Sequence, residues 1–107
     1  NSGLAFQLGV VYLQKQRYEK AQEEFERALK LNANYDNAKY MLGLVYDKQG
    51  EKEKAKETFG KLAETNPDNT EVKTILANLV AGKAALEGIT PGQPPLEETP
   101  PEIQQGK

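Results

Sequence analysis

A stretch of sequence that occurs twice, 34 residues apart, constrains this chain more than any other feature. Residues 8–12 read LGVVY and residues 42–46 read LGLVY, and each copy is followed by a Glu-Lys-Ala triplet and then by a phenylalanine, Phe25 or Phe59. A repeat of this length is typical of structural units that cannot bury their apolar surface alone and therefore stack on one another. The sequence therefore predicts an array of stacked units.

The spacing of apolar residues predicts five helices. They are expected over residues 2–16, 18–31, 35–49, 51–65 and about 69–87. Gly50 suits a left-handed turn after the third helix. Asn34 is the predicted N-cap of the third helix, and Asp68 begins a capping box for the fifth. Helices joined by such short turns form hairpins, so repeat 1 spans about 2–35, repeat 2 spans about 36–69, and the fifth helix caps the stack.

Each predicted helix has a stripe of residues that we expect to be buried. The stripes are Leu4, Ala5, Leu8, Val11 and Tyr12; Ala21, Phe25, Ala28 and Leu29; Ala38, Met41, Leu42, Val45 and Tyr46; Ala55, Phe59, Leu62 and Ala63; and Val72, Ile75, Leu76, Leu79, Val80 and Leu86. Gly9 and Gly43 are small where paired helices would approach closely, and Phe25 and Phe59 would fill the space between hairpins. Tyr46 would fill the space between helices and place its hydroxyl at the edge.

This pattern of Leu-Gly, then Tyr, Ala, Phe and a final Ala or Pro resembles the tetratricopeptide repeat. The resemblance covers residues 2–67 as two full repeats, and residues 68–88 resemble the first helix of a third. It implies an all-α fold in which the hairpins stack into a right-handed α-solenoid, with a domain over residues 1–88. It also implies a protein–protein interaction scaffold, because the first helices in this family line a concave face where extended peptides or partner helices bind.

The concave face would be formed by a second stripe on the first helix of each repeat. The predicted binding residues are Phe6, Val10, Leu13, Asn37, Tyr40, Leu44, Asp47, Thr74 and Asn78. The middle of this surface is apolar, so we expect something to cover it. Three occupants are open at this stage: a ligand peptide, an upstream repeat, or a second copy of the chain.

Residues 89–107 form a tail of different composition, with five of the six prolines. Such a segment is typical of extended or disordered chain without a core. It also contains candidate ligand residues for an aromatic groove, namely Pro94, Pro95, Leu96 and Ile103. We expect either a disordered terminus or a tail that docks onto the concave face of its own or a neighbouring molecule, with Phe6 and Tyr40 as the platform.

Composition argues against other classes of function. The chain has no His and no Cys, so the commonest general base and thiolate metal ligands are absent, and neither a catalytic residue nor a cofactor is predicted. A net charge of −2 with interspersed Lys and Glu gives no nucleic-acid surface. No apolar run is long enough to span a membrane, and the cytoplasm is the default expectation for the compartment. The alternative function is a homo-oligomerisation or docking module of a larger protein, which an anchor or an enzymatic domain would complete.

Overall fold

The structure is a computed structural model that describes residues 1–89, and within them the chain forms five α-helices and no strand. The helices are α1 (Ser2–Gln14), α2 (Tyr18–Leu31), α3 (Asp36–Lys48), α4 (Lys52–Thr65) and α5 (Thr70–Val80). The packing follows the chain: α1 pairs with α2, α3 pairs with α4, and α2 packs on α3 as α4 packs on α5. The predicted all-α repeat architecture is confirmed. The predictions for residues 90–107, including the docking of the tail, concern a part of the chain that lies outside the described residues.

The two phenylalanines of the repeat are fully buried, and each faces a glycine of its own hairpin. A Cβ atom on Gly9 would lie 2.7 Å from Cε1 of Phe25, and one on Gly43 would lie 2.5 Å from Cε2 of Phe59. Such separations are shorter than any normal carbon–carbon contact. The predicted close approach is therefore confirmed, because only glycine lets the helix backbone reach the ring. The Tyr46 hydroxyl donates a hydrogen bond to Glu26 (3.4 Å), which confirms its predicted place at the edge.

The predicted helix caps are wrong by one residue. The N-cap of α3 is Tyr35, without a side-chain cap, and the N-cap of α5 is Asn69, whose side chain accepts a hydrogen bond from the Val72 N–H (2.9 Å). Asn34 and Asp68 instead lie inside tight turns, which close through hydrogen bonds from Tyr35 N to Asn32 O (3.1 Å) and from Asn69 N to Asn66 O (3.0 Å). Asn and Asp are favoured in turns as well as at caps, which is why the sequence alone misplaced them.

The fifth helix ends at Val80, well before the predicted Glu87. Gly82 adopts a positive φ of 80°, and the Lys83 N–H donates to Asn78 O (2.8 Å), as in a Schellman motif. Residues 83–89, which we call the docked segment, then fold back onto the helices. In the docked segment Ala85 is buried, and Leu86 and Ile89 pack against the core cluster formed by α3, α4 and α5. Leu86 therefore contributes to the core from outside the helix.

Four residues of the predicted buried stripes are exposed. On α1, Leu4 is 62% exposed, Leu8 43% and Val11 42%, and on α5 Val80 is 68% exposed. The reason is the absence of a neighbouring helix at each end of the described stack. The positions that correspond to Leu4, Leu8 and Val11 in the second repeat lie on α3 and are covered by α2. Those in the fifth helix are covered by α4. The apolar spacing correctly identified positions that a packed helix would cover. At the two ends of the stack, the described residues do not include such a helix.

Candidate peptide-binding groove

The nine predicted binding residues do not form one open surface. Asn37 and Tyr40 are buried, which leaves little of either side chain for a partner to contact. Phe6 is half-buried, with its ring centroid 5.0 Å from that of Tyr35 and 5.8 Å from that of Phe25. Val10 also packs against the core, while the hydroxyl of exposed Thr74 donates to Thr70 O on its own helix (2.9 Å). The structure therefore offers no open aromatic platform at Phe6 and Tyr40.

Two of the nine residues bind the docked segment through its backbone. Asp47 of α3 accepts a hydrogen bond from the Ala85 N–H at Oδ2 (3.1 Å) and forms an ion pair with Lys52. Asn78 of α5 donates from Nδ2 to Ala85 O (2.9 Å) and to Glu87 O (3.0 Å). Side chains from two different first helices thus hold one length of non-helical chain. Such contacts recognise a backbone whatever its side chains are.

The remaining open part of this face is a groove beside the docked segment, which we call the α1–α3 groove. It has a volume of about 320 Å³. Its lining residues are Leu13, Gln14, Gln16, Tyr18, Leu44, Asp47, Lys48, Ala84, Ala85 and Leu86. Three of the predicted residues, Leu13, Leu44 and Asp47, line this groove. The docked segment was not predicted to form one of its walls. The sequence feature that could have indicated this wall is Gly82, because a glycine often marks a helix C-terminus and the chain can fold back after it.

A larger concavity on the molecule is less suited to binding an apolar group. It has a volume of about 730 Å³ and is lined by Arg17, Tyr18, Glu19, Lys20, Gln22, Gln49, Glu51 and Lys54. These side chains are mostly charged, with both signs mixed. Ligand sites are usually lined by apolar side chains with a few placed polar groups. We therefore take the smaller α1–α3 groove as the candidate site.

Tyr40 lies beneath the concave face and has a perturbed ionisation. Burial, together with the negative charge of the nearby Glu71 carboxylate, raises the pKa of Tyr40 to about 12. Burial, together with the charge of Glu26 and the hydrogen bond to it, also raises the pKa of Tyr46. Both tyrosines are therefore held in the neutral form at neutral pH, and neither is poised to act as a base.

The raised pKa of Tyr40 predicts a specific alkaline sensitivity. The folded protein holds the hydroxyl proton of Tyr40 more tightly than the unfolded chain does. The contribution of this proton to the free energy of unfolding is therefore complete below pH 10, and it is lost as the pH rises from 10 through about 12. Tyr40→Phe keeps the ring and removes the ionisable group. We expect its free energy of unfolding, measured in urea at several pH values, to fall less between pH 10 and 12 than that of the parent. Identical slopes in the two proteins would contradict the assignment.

No group of three or more His, Cys, Asp or Glu side chains within residues 1–89 is arranged to hold a metal ion. Among the five helices described here, none is long and apolar enough to cross a lipid bilayer.

Comparison with known proteins identifies a family. A family model described as the tetratricopeptide repeat matches residues 4–79, which is more than half of the chain. Neither the search of curated proteins nor the search of solved structures finds a match.

Proposed function

The chain belongs to the tetratricopeptide repeat family, whose members generally mediate protein–protein interactions, and from this premise we propose that it binds an extended peptide segment in the α1–α3 groove. The family is typically a non-enzymatic interaction module, and we assign no catalysis to this chain. The ligand we propose is a proline-containing strand with isolated apolar side chains. The chain's own residues 90–107 are the candidate that the sequence supplies.

One observation supports the proposal: this face already holds a length of non-helical chain, which includes a turn at residues 85–88, by its backbone. Asp47 and Asn78 bind three backbone groups of the docked segment, at Ala85 and Glu87. A peptide laid beside that segment would find Leu13 and Leu44 as an apolar floor. Apolar floors with a few polar side chains at the rim are the usual form of a peptide site.

The position of the docked segment supports the chain's own tail as the ligand. Leu86 lines the groove, and Ile89 packs against the core cluster next to it. The tail is therefore covalently joined to a segment whose Leu86 lines the groove. A ligand on such a short tether has an effective concentration on the order of millimolar, so even weak contacts would populate the bound state. Leu96 is the first apolar residue after Ile89 and is the side chain we expect in the groove.

The test uses the chain ended at Ile89, which keeps every described residue, and a synthetic peptide of residues 90–107. We expect saturable changes in the amide resonances of Leu13, Leu44 and Lys48 as peptide is added, with a dissociation constant of about a millimolar or tighter. The full-length chain should show the same resonance positions without added peptide. A dependence of those positions on protein concentration would indicate that the tail of a neighbouring molecule is bound.

Two lysine substitutions provide the controls. Leu44→Lys places a charge in the groove and should abolish peptide binding, while Val80→Lys makes the same kind of change at a residue that is exposed and outside the groove. Circular dichroism would establish that both variants remain helical. Binding that survives Leu44→Lys, or that Val80→Lys removes equally, would contradict the proposed site. Absence of any resonance change at millimolar peptide would exclude the tail as the ligand.

A further inference from the structure

We propose that Lys48, in the last turn of α3, sets the ligand specificity of the α1–α3 groove by selecting an acidic residue two positions after the apolar side chain bound there. In this chain the matching residues are Leu96 as the apolar side chain and Glu98 as the acidic one. The inference rests on the proposed function, because it concerns the same groove. It adds a requirement for charge that an apolar floor alone does not impose.

The charged side chains that line the groove are not equivalent. The side chain of Asp47 is 8% exposed, and its carboxylate already pairs with Lys52 and accepts the Ala85 N–H. Lys48 is exposed, lines the same groove, and forms no ion pair with any carboxylate of the described residues. The other side chains of the lining are uncharged. Within residues 1–89, the lining therefore presents one positive charge without a partner beside an apolar floor.

Lys48 lies one helical turn from the floor residue Leu44, and this spacing matches an extended ligand. Side chains four residues apart on a helix share a face, with Cβ atoms about 5–6 Å apart. In an extended peptide, alternate side chains point to the same side and lie about 6–7 Å apart. A strand that runs parallel to α3 with an apolar side chain over Leu44 therefore brings its second following side chain to Lys48. The flexible stem of lysine covers the small difference in spacing.

Residues 90–107 contain this arrangement at one place. Their three glutamates and one lysine account for the whole net charge of −2 of the chain, so the segment is acidic. Leu96 is followed two positions later by Glu98, whereas Ile103, the other aliphatic residue, is followed by two glutamines. A strand of opposite direction would bring Pro94 to the lysine instead. Charge complementarity therefore selects Leu96 as the bound side chain and fixes the direction of the strand.

A purely structural role for Lys48 is the alternative, because a cation in the last turn of a helix interacts favourably with the partial negative charge there. Lys30 offers a matched comparison in the last turn of α2. It is exposed, forms no ion pair with a described residue, and lies outside the groove. Replacement of either lysine by glutamate should therefore affect stability similarly, while binding should respond to Lys48 alone.

The experiment is a charge exchange in the full chain. Lys48→Glu and Glu98→Lys are made singly and together, and each protein is compared by NMR with the matching chain ended at Ile89, which gives the resonances of the empty groove. Displacement of the Leu13 and Leu44 amide resonances measures the ratio of bound to free groove. At low salt each single change should lower that ratio about three- to tenfold, because an exposed attraction is lost and a repulsion introduced, and the double variant should regain most of it.

Two further substitutions control for position. Lys30→Glu changes the net charge by the same amount and should leave the ratio unchanged. Glu97→Lys makes the charge change one residue earlier in the ligand, where an extended strand points its side chain away from Lys48, so Lys48→Glu should not restore its binding. In about 1 M salt, the differences among all these proteins should largely disappear.

The outcomes separate this inference from the proposed function. Tail binding that requires Leu44 but is unchanged in Lys48→Glu would overturn the role of the lysine and leave the proposed function standing. Equal rescue of Glu97→Lys and Glu98→Lys would overturn the pairing in register. Identical groove resonances in the full chain and the chain ended at Ile89, with no response to added peptide, would overturn both.

Discussion

Replacing Phe59 with alanine is expected to lower the free energy of unfolding by about 3–5 kcal/mol, the range for removing a fully buried phenylalanine. Phe59 has no exposed surface, and it belongs to the cluster that joins α3, α4 and α5. Its ring packs edge-on against Tyr40, with centroids 5.5 Å apart. On the other side it faces the backbone at Gly43, which has no side chain that could move into the space. The cavity left by the substitution therefore cannot close. Urea unfolding followed by circular dichroism would measure the loss.

Gly60, the next residue on the same helix, provides a matched control. A Cβ atom there would meet nothing within 4 Å. Because glycine weakens a helix interior, Gly60→Ala should raise the free energy of unfolding by about 0.5–1 kcal/mol. If Phe59→Ala lowers the free energy of unfolding while Gly60→Ala raises it, the contact with α3 contributes more to the stability of this part of α4 than helix propensity does. A loss below about 1 kcal/mol in Phe59→Ala would contradict the role assigned to that ring.

The hairpins could be predicted from the sequence because each essential contact is local and occurs twice. The Gly43–Phe59 contact joins two neighbouring helices across one short turn, and Gly9 with Phe25 repeats it. Two identical spacings make a chance pattern improbable. The bounds of α2 were predicted correctly for the same reason, since its apolar stripe and its flanking turns agree. Local propensity and packing there favour the same structure.

The ends of the helices were harder to predict, because neighbouring residues offer competing signals. Asp68 and Asn69 can both cap a helix, and only the turn that begins at Asn66 decides that Asn69 does so. After α5 the apolar residue Leu86 continues the helical spacing, which favoured a longer helix. Gly82 ended the helix, although a single glycine within a helical pattern is a weak signal.

Peptide binding by the residues predicted from the sequence stays a prediction, but the structure shows how far each of them is buried. Helical spacing placed Tyr40 and Leu44 on the same side of α3, yet Tyr40 is buried while Leu44 lines the groove. Tyr40 is buried in the cluster with Phe59 of α4, whereas Leu44 lines a groove whose wall, the docked segment, is held by a contact between Asp47 and Ala85, 38 residues apart in the sequence. Periodicity identifies the face of a helix on which a residue lies. It does not identify which other part of the chain covers that face.

The docked segment therefore provides the second large effect that we expect. A chain ended at Gly82 lacks residues 83–107, and its free energy of unfolding should be lower by about 2–3 kcal/mol than that of a chain ended at Ile89. The removed segment buries Ala85 and part of Leu86 and Ile89, which favour folding in proportion to their apolar area. Its backbone also makes three hydrogen bonds with the side chains of Asp47 and Asn78, each with a net contribution of about 1 kcal/mol. The entropy lost in ordering its backbone offsets much of this total.

Comparison of the two shortened chains separates the docked segment from the residues after it. Both lack residues 90–107, so any difference in their urea midpoints arises from residues 83–89. A synthetic peptide of residues 83–107, added to the chain ended at Gly82, should raise its thermal midpoint, because the site formed by Asp47 and Asn78 would be filled again. Asp47→Ala in the chain ended at Ile89 should lower stability by part of the same amount, since it removes one of the three hydrogen bonds. Equal midpoints for the chains ended at Gly82 and Ile89 would show that the segment contributes nothing to the fold. The face of α3 and α5 would then be available to ligands without displacement of the chain's own backbone.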